Sequence, residues 1–291
     1  MAVIRTKATC RLIDFLMDRG HTRTKIKQLL KHRAIVVNGE AVKNLDQMLL
    51  HGDTVEVRKE KNQPVAAPSM GIRVVHEDDA VIVIEKPAGL LTMASETEKI
   101  KTAYYQVNEF LKLRSRDTRE RIFIVHRLDR DTSGLIVFAK NAAGKRAIQG
   151  SWKEAEKRYY AIVEGTPAKK EGEIRSSLSE TKSLKVYSDR HSGEAKPALT
   201  KYRLLRQGRV YALLDILLET GRKNQIRVHL ADLGHPVAGD KKYGAQTDPL
   251  RRLGLHAYLL SFNHPDTGQL LRFESSMPAK FDRLIREGSE G

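Results

Sequence analysis

Apolar positions along this chain recur with two periods, and the places where one gives way to the other mark its elements. Near the start, Leu12, Phe15 and Leu16 fall on one helical face, which predicts a helix from Ala8 to about Leu16. After Gly20 and His21, Thr22 is placed to cap a second helix with Ile26, Leu29 and Leu30 on its apolar side. Alternation then takes over. Ala34 to Val37 and Glu40 to Val42 flank Asn38-Gly39, the strongest short hairpin signal, and Gly52 to Val57 reads as a closing strand. Residues 61–71 lose all periodicity and carry Pro64 and Pro68, as a linker would, between a small domain of residues 1–60 and a larger one of residues 72–291.

The larger part opens with strands at Ile72 to Val75 and Val81 to Ile84 around a turn at residues 76–79. An amphipathic helix with Ile100, Tyr104, Val107 and Leu111 on one face follows. Ile122 to Val125 and Leu135 to Ala139 are short unbroken apolar runs, the pattern of strands buried on both faces. Asn141 can cap a helix reaching about Glu156, with Ala147, Ile148 and Trp152 in the core. Beyond it come a strand at Lys157 to Gly165 and several strands between residues 182 and 219, notably Ala198 to Leu205 and Val210 to Leu218. A helix at Gln225 to Leu233, a hairpin at Phe262 to Phe273 and a helix at Lys280 to Glu287 complete the chain. The fold class is α+β, with a largely antiparallel sheet.

Composition changes this picture in one respect. Hydrophobic and charged fractions of 40% and 30% are ordinary for a folded protein, but a net charge of +16 is not. Such an excess points to a polyanionic partner, because cations set on phosphates gain affinity by releasing counterions. The single cysteine, Cys10, excludes an intramolecular disulfide and suits a reducing compartment. Neither a signal peptide nor a membrane-length apolar run is seen, so a cytoplasmic protein is expected, acting as a monomer and away from membranes. The ten histidines are scattered without ligand spacing, and a metal site is not expected.

The loop between the two buried runs is where chemistry concentrates. From His126 to Gly134 it gathers an imidazole, two guanidiniums, two carboxylates and two hydroxyls, and ends where backbone can turn sharply or be closely approached. It is not a kinase catalytic loop, since Leu128 separates Arg127 from Asp129 and no Gly-rich loop precedes it. Nor is it an aspartic-protease site, because no second copy exists to form a carboxylate dyad. The run His126-Arg127-Leu128-Asp129, two further residues, then Thr132-Ser133-Gly134 and an apolar strand resembles the signature of the RluA-type pseudouridine synthases, uninterrupted. Glu85-Lys86-Pro87-Ala88-Gly89 resembles that family's first motif, with Thr92-Met93 where a histidine is frequent, and Lys86 is read as structural. Lys157 to Gly165 resembles its Lys-x-Tyr strand, and Thr220 to His229 its Gly-Arg-x-His-Gln-Ile-Arg motif, with Asn224 in place of the histidine.

The resemblance implies isomerisation of uridine to pseudouridine within RNA, without a cofactor. It places the catalytic aspartate at Asp129, the active-site tyrosine at Tyr159 and the aspartate's basic partner at Arg227. Alternation alone sends Tyr159 and Tyr160 to opposite faces and does not choose between them. Arg127 would fill the space left by an extruded base, and His126, Thr132, Arg222 and Asn224 are further candidate RNA contacts. Asp129 would act at the sugar, either by attack on C1′ or by removing a sugar proton. At the front, Arg23 to Leu30, Val37-Asn38-Gly39 and Gly52-Asp53 resemble the S-four RNA-binding domain. That implies docking on folded RNA through the basic flank of Arg23, Lys25, Lys27, Lys31 and Arg33. The expected partner is structured RNA, large-subunit ribosomal RNA before transfer RNA. The rival classes are a non-catalytic ribosome-assembly factor and a base-excising glycosylase.

Overall fold

A computed structural model describes residues 3–6, 8–31, 35–42, 44–57, 71–114, 121–181, 183–189 and 195–287. The linker reading at residues 61–71 falls almost wholly outside them. The chain forms two compact units, Met1–Val65 and Ala66–Gly291.

In the first unit the elements are β1 (Val3–Arg5), β2 (Cys10–Arg11), α1 (Leu12–Met17), α2 (Arg23–Lys31), β3 (Ile35–Val37), β4 (Glu40–Ala41), β5 (Met48–Leu49) and β6 (Thr54–Val57). Four strands pair in the order β1-β6-β3-β4, and β2 pairs with β5. Leu12, Phe15, Leu16, Ile26 and Leu29 from the helices close over Ile35, Val37 and Val55. The hairpin turn takes positive φ at both central residues, 51° at Asn38 and 88° at Gly39, as the twist of the flanking strands demands. Asn38 then ties the turn to β6, since its Oδ1 accepts from the Thr54 amide at 2.9 Å. Thr22 does cap α2, accepting from the Lys25 amide at 3.3 Å. The first helix starts at Leu12 rather than Ala8, because Cys10 and Arg11 enter as a strand paired with Leu49 and Met48.

The second unit contains β7 (Arg73–Glu77), β8 (Val81–Lys86), α3 (Ala103–Arg114), β9 (Phe123–Ile124), β10 (Ser133–Ala139), α4 (Ala142–Gly150), β11 (Glu156–Glu164), β12 (Glu171–Glu180) and β13 (Val186–Ser188). It continues with β14 (Lys196–Gln207), β15 (Tyr211–Leu218), α5 (Gln225–Asp232), β16 (Leu255–Asn263), β17 (Leu270–Glu274) and α6 (Ala279–Glu287). One sheet of eleven strands runs β13-β12-β14-β15-β11-β16-β10-β8-β7, with β17 on β16 and β9 on β10. Among the described residues, the strands of this sheet pair antiparallel except β10 with β16. On one face, Ile84, Ile136, Phe138, Ala161 and Leu214 pack beneath Val107 and Leu111 of α3 and Leu230 of α5. On the other, Val83, Leu135 and Val137 meet Ile148 of α4, and Ile162 and Leu213 meet Phe281 of α6. With helices on both faces, β10 is buried at every residue, which is why it is apolar without alternation.

Several expectations are corrected. Ile100 lies before α3 and is exposed, because Thr102, not an earlier residue, accepts from the first-turn amide of Tyr105. The helix capped by Asn141 stops at Gly150, and Glu156 opens β11 instead of ending a helix. Ala147 is exposed and only Ile148 of that pair is core, since Asn141 sets the helix so that Gly144 and Ile148 face the sheet. The long strand β12 was not anticipated.

At the parallel contact, Gly134 has φ of 116° and pairs with Ala257. A Cβ there would lie 2.1 Å from the Ala257 carbonyl oxygen. Gly134→Ala is therefore expected to cost roughly 3 kcal/mol in urea unfolding of the full chain. Gly150→Ala, where a Cβ meets nothing within 4 Å, should be neutral or stabilising. Equal stability of the two variants would show that β10 and β16 can separate without cost.

Candidate active site

The polar loop between β9 and β10 is held from below by two side chains of the preceding segment. Thr92 Oγ1 donates to the Leu128 carbonyl at 2.7 Å and accepts from the Leu128 amide at 3.1 Å. Lys86, fully buried, donates from Nζ to the carbonyls of Pro87 at 2.9 Å, Leu90 at 2.7 Å and Arg130 at 3.1 Å. Burial pulls its pKa down to about 7, against the opposing charges of Asp131 and Asp129. Leu128 is buried in the core, so its neighbours Arg127 and Asp129 are turned outward.

What they face is a cleft of about 80 Å³. Arg127, Asp129, Thr132 and Tyr159 line one part of it, and Arg222, Asn224 and Arg227 another. His126 is not brought there. Its Nε2 accepts from the Val137 amide at 3.2 Å and its ring lies 4.5 Å from that of Trp152. Burial lowers its pKa to about 3, with help from the Lys157 charge, so the ring is neutral and fixes the loop to β10. Arg23, Lys25 and Lys27 are exposed on α2 of the first unit. Arg33 is outside the described residues, and nothing is described of the Lys31 side chain.

The opposite wall is set by the start of α5. Gln225 is buried, and its Oε1 accepts from the Arg222 amide and the Thr220 hydroxyl while its Nε2 donates to the Leu199 carbonyl and Thr200 hydroxyl. That fixes the turn and aims Arg227 at the loop. Arg227 Nη1 stands 3.3 Å from Asp129 Oδ2. Its other nitrogens form a two-pronged pair with Asp240, Nε to Oδ2 at 2.6 Å and Nη2 to Oδ1 at 2.8 Å. Burial opposes the charged guanidinium, but the bonds to Asp240 and the charge of Asp129 outweigh it and raise the pKa. Asn224, at φ 53°, accepts from Arg227 Nη1 at 3.1 Å and donates to the Tyr243 hydroxyl at 3.0 Å.

Asp240 and Tyr243 escaped the sequence reading. Their signal was a polar stretch between two glycines, Gly239 and Gly244, which looks like any turn until Arg227 is seen against it. On β11, Tyr159 points into the cleft-side core, whereas Tyr160 stacks on Tyr258 at 3.9 Å on the far face. Burial, reinforced by the Asp129 carboxylate, raises the Tyr159 pKa, so its phenol stays protonated.

Comparison with known proteins bears on this arrangement. The model of the RNA pseudouridylate synthase family matches residues 80–232, and that of the S4 domain matches residues 11–55. The chain belongs to the RNA pseudouridylate synthase family. With it, the synthase joins the isomerases that act on RNA. An uncharacterised RNA pseudouridine synthase of Bacillus subtilis is 34% identical, covering 92% of this chain and 90% of the relative. Ribosomal large subunit pseudouridine synthase D of Neisseria meningitidis is 32% identical, covering 91% of this chain and 74% of the relative. Among solved structures, human RNA pseudouridylate synthase domain containing 4 superposes with a TM-score of 0.61 at 24% identity, covering 73% of this chain and 91% of that one. That likeness is one of fold.

Behind the synthase's loop runs a directional chain of hydrogen bonds. Arg252 Nη2 donates to Ser133 Oγ at 2.6 Å, and Ser133 in turn donates to His256 Nδ1 at 2.7 Å. His256 Nε2–H then donates to Ser275 at 3.1 Å, and Ser275 donates to Glu85 at 2.6 Å. Every link fixes the next, leaving His256 neutral. Burial lowers its pKa to about 4 despite the Glu85 charge. A histidine whose folded pKa lies below its unfolded value stabilises fully above about pH 6.5, and that contribution falls as pH drops toward the folded pKa. Unfolding free energy should therefore decline from pH 6.5 to 4.5, with about 1.4 kcal/mol per pH unit as the limit for each of His256 and His126. His256→Asn is expected to be less stable at pH 7.5 but to show a shallower decline in denaturant titrations; an unchanged slope would refute this source.

Proposed function

We propose that this synthase converts uridine to pseudouridine in large-subunit ribosomal RNA, acting in the cytoplasm, with Asp129 as its catalytic carboxylate. The observation that carries the reading is Asp129 beside the Arg227 guanidinium in a cleft whose core side is Tyr159. The N1–C1′ bond breaks, the uracil turns, and C5 is joined to C1′. The C5 hydrogen leaves as a proton and N1 gains one, so the reaction is an isomerisation that needs no redox partner.

Extrusion of the uridine costs roughly a few kcal/mol, which Arg127 offsets by filling the vacated stack with a planar group. Arg127 is exposed at the cleft mouth and its Nη1 lies 3.7 Å from Met93 Sδ, a weak contact that leaves it free to swing. Asp129 acts at the sugar, and Arg227, with Nη1 3.3 Å from its Oδ2, holds the carboxylate in position. Tyr159 stacks on the turned uracil. Its protonated phenol suits that role better than that of a base.

Ribosomal RNA is favoured over transfer RNA for two reasons: relatives at about a third identity carry the ribosomal large-subunit name, and an S4 domain stands at the front. No helix among the described residues is long and apolar enough to cross a membrane.

The test is to incubate the protein with unmodified large-subunit ribosomal RNA and transfer RNA transcripts and map pseudouridine by carbodiimide-dependent reverse-transcription stops. Stops are expected on the ribosomal transcript and absent with Asp129→Asn, whose RNA affinity should stay within a few fold. Turnover by that variant would remove Asp129 from the mechanism, and stops confined to transfer RNA would reassign the substrate. Removing residues 1–60 is expected to weaken binding to the large transcript by tenfold or more while slowing turnover on a minimal stem-loop less than threefold. Equal losses on both would exclude a docking role for the first unit.

A further inference from the structure

Gly221 and Arg222 line the catalytic cleft and also a second cavity, larger at about 530 Å³. Its walls include Leu178, Val186, Tyr187, Lys196 and Lys223, so it runs between the β12–β13 hairpin and the turn into α5. The cleft, at about 80 Å³, is far smaller. Gly221 and Arg222 stand where the two cavities meet.

The chemistry of the larger cavity suits single-stranded RNA. Tyr187 is 42% exposed on a short strand and packs in none of the cores. Lys196 is exposed and forms no ion pair among the described residues. Arg222 uses Nε on the Pro197 carbonyl at 3.2 Å, and its two terminal nitrogens have no partner among the described residues. Lys223 is already neutralised by Glu180, and the other carboxylate of the cavity, Asp189, lies 3.4 Å from the Tyr187 hydroxyl. Two cations and an aromatic face are thus open beside a carboxylate that orients the tyrosine.

The wall is also preformed. Ser176 Oγ is 3.0 Å from His229 Nε2 and 2.9 Å from Ser188 Oγ, and Ser188 donates to Asp232, which locks the hairpin to α5. Little ordering is then needed on binding.

We propose that this groove is a subsite for the nucleotide adjoining the target uridine, with its phosphate on Arg222 and Lys196 and its base on the Tyr187 ring. The inference rests on the synthase acting on RNA as argued above. Stacking on an exposed aromatic is tolerant of base identity, so the subsite grips the strand and sets the depth of the uridine without reading sequence.

The test uses the full chain and a large-subunit ribosomal RNA transcript made with uridine tritiated at C5, following tritium release, and RNA affinity across a salt series. Lys196→Gln should raise KM about three- to tenfold with kcat within twofold, and reduce the slope of log affinity against log salt by about one. Tyr187→Ala should raise KM about tenfold, and Tyr187→Phe should restore it. Lys201→Gln, in a separate cavity, serves as control. An active parent protein with KM and salt slope unchanged in both variants overturns the subsite, as does a loss in kcat alone. A parent that releases no tritium from ribosomal or transfer RNA overturns the function on which the subsite rests.

Discussion

One guanidinium shared between two unlike carboxylates governs the site. Asp240 is buried, with its side chain 1% exposed, while that of Asp129 is 28% exposed. Arg227 therefore has one end anchored on a buried carboxylate and one on a half-exposed carboxylate. The two-pronged pair with Asp240 fixes the plane of the guanidinium, and the remaining nitrogen is left facing Asp129. Breaking such a buried pair by removing one partner costs about 3–5 kcal/mol, because the other charge is stranded. The position of α5, the turn held by Gln225 and the segment carrying Asp240 and Tyr243 are all coupled through this one group.

The loop bearing Asp129 has to meet that guanidinium from the other side, and its backbone is constrained where it leaves and where it ends. Lys86 collects three carbonyls beneath it, Thr92 makes reciprocal bonds to Leu128, and His126 is pinned to β10 by the Val137 amide. The loop ends where Gly134 touches β16 so closely that no side chain fits. Loops are commonly mobile, but this one is tied to the sheet by buried polar groups that have found partners. A carboxylate displaced by a small distance would lose the 3.3 Å approach to Arg227, so these ties set that distance as well as stabilising the loop.

Much of this was legible in the chain. The apolar run after residue 134 gave β10, because a strand covered on both faces must be apolar throughout, whereas the run before residue 126 forms only the two half-buried residues of β9; Asn38-Gly39 gave the hairpin because both residues accept positive φ. Tyr159 and Tyr160 were separated by strand alternation alone, though only the packing tells which face holds the cleft. Other features left weak traces. The strand β12 reads Glu-Gly-Glu-Ile-Arg-Ser-Ser-Leu-Ser-Glu, with too few apolar positions for a pattern, because next to the short edge strand β13 it buries only Leu178 fully. Helix α4 was overextended because Trp152 continues its apolar period, although Gly150 and Ser151 end it. Asp240 was silent for a different reason: a charge pair across thirteen residues depends on a turn that no local period reports.

Asn224 shows how a departure from a motif can conserve its physics. The position needs left-handed backbone, at φ 53°, which asparagine tolerates better than most residues. It also needs a side chain that accepts from Arg227 at one end and donates to Tyr243 at the other. An amide meets both demands without titrating. A histidine there could do so only as the neutral ring, since the nitrogen facing the guanidinium must keep its lone pair. The demand at this place is thus for a fixed, uncharged bridge between Arg227 and Tyr243, and asparagine supplies it with no charge of its own.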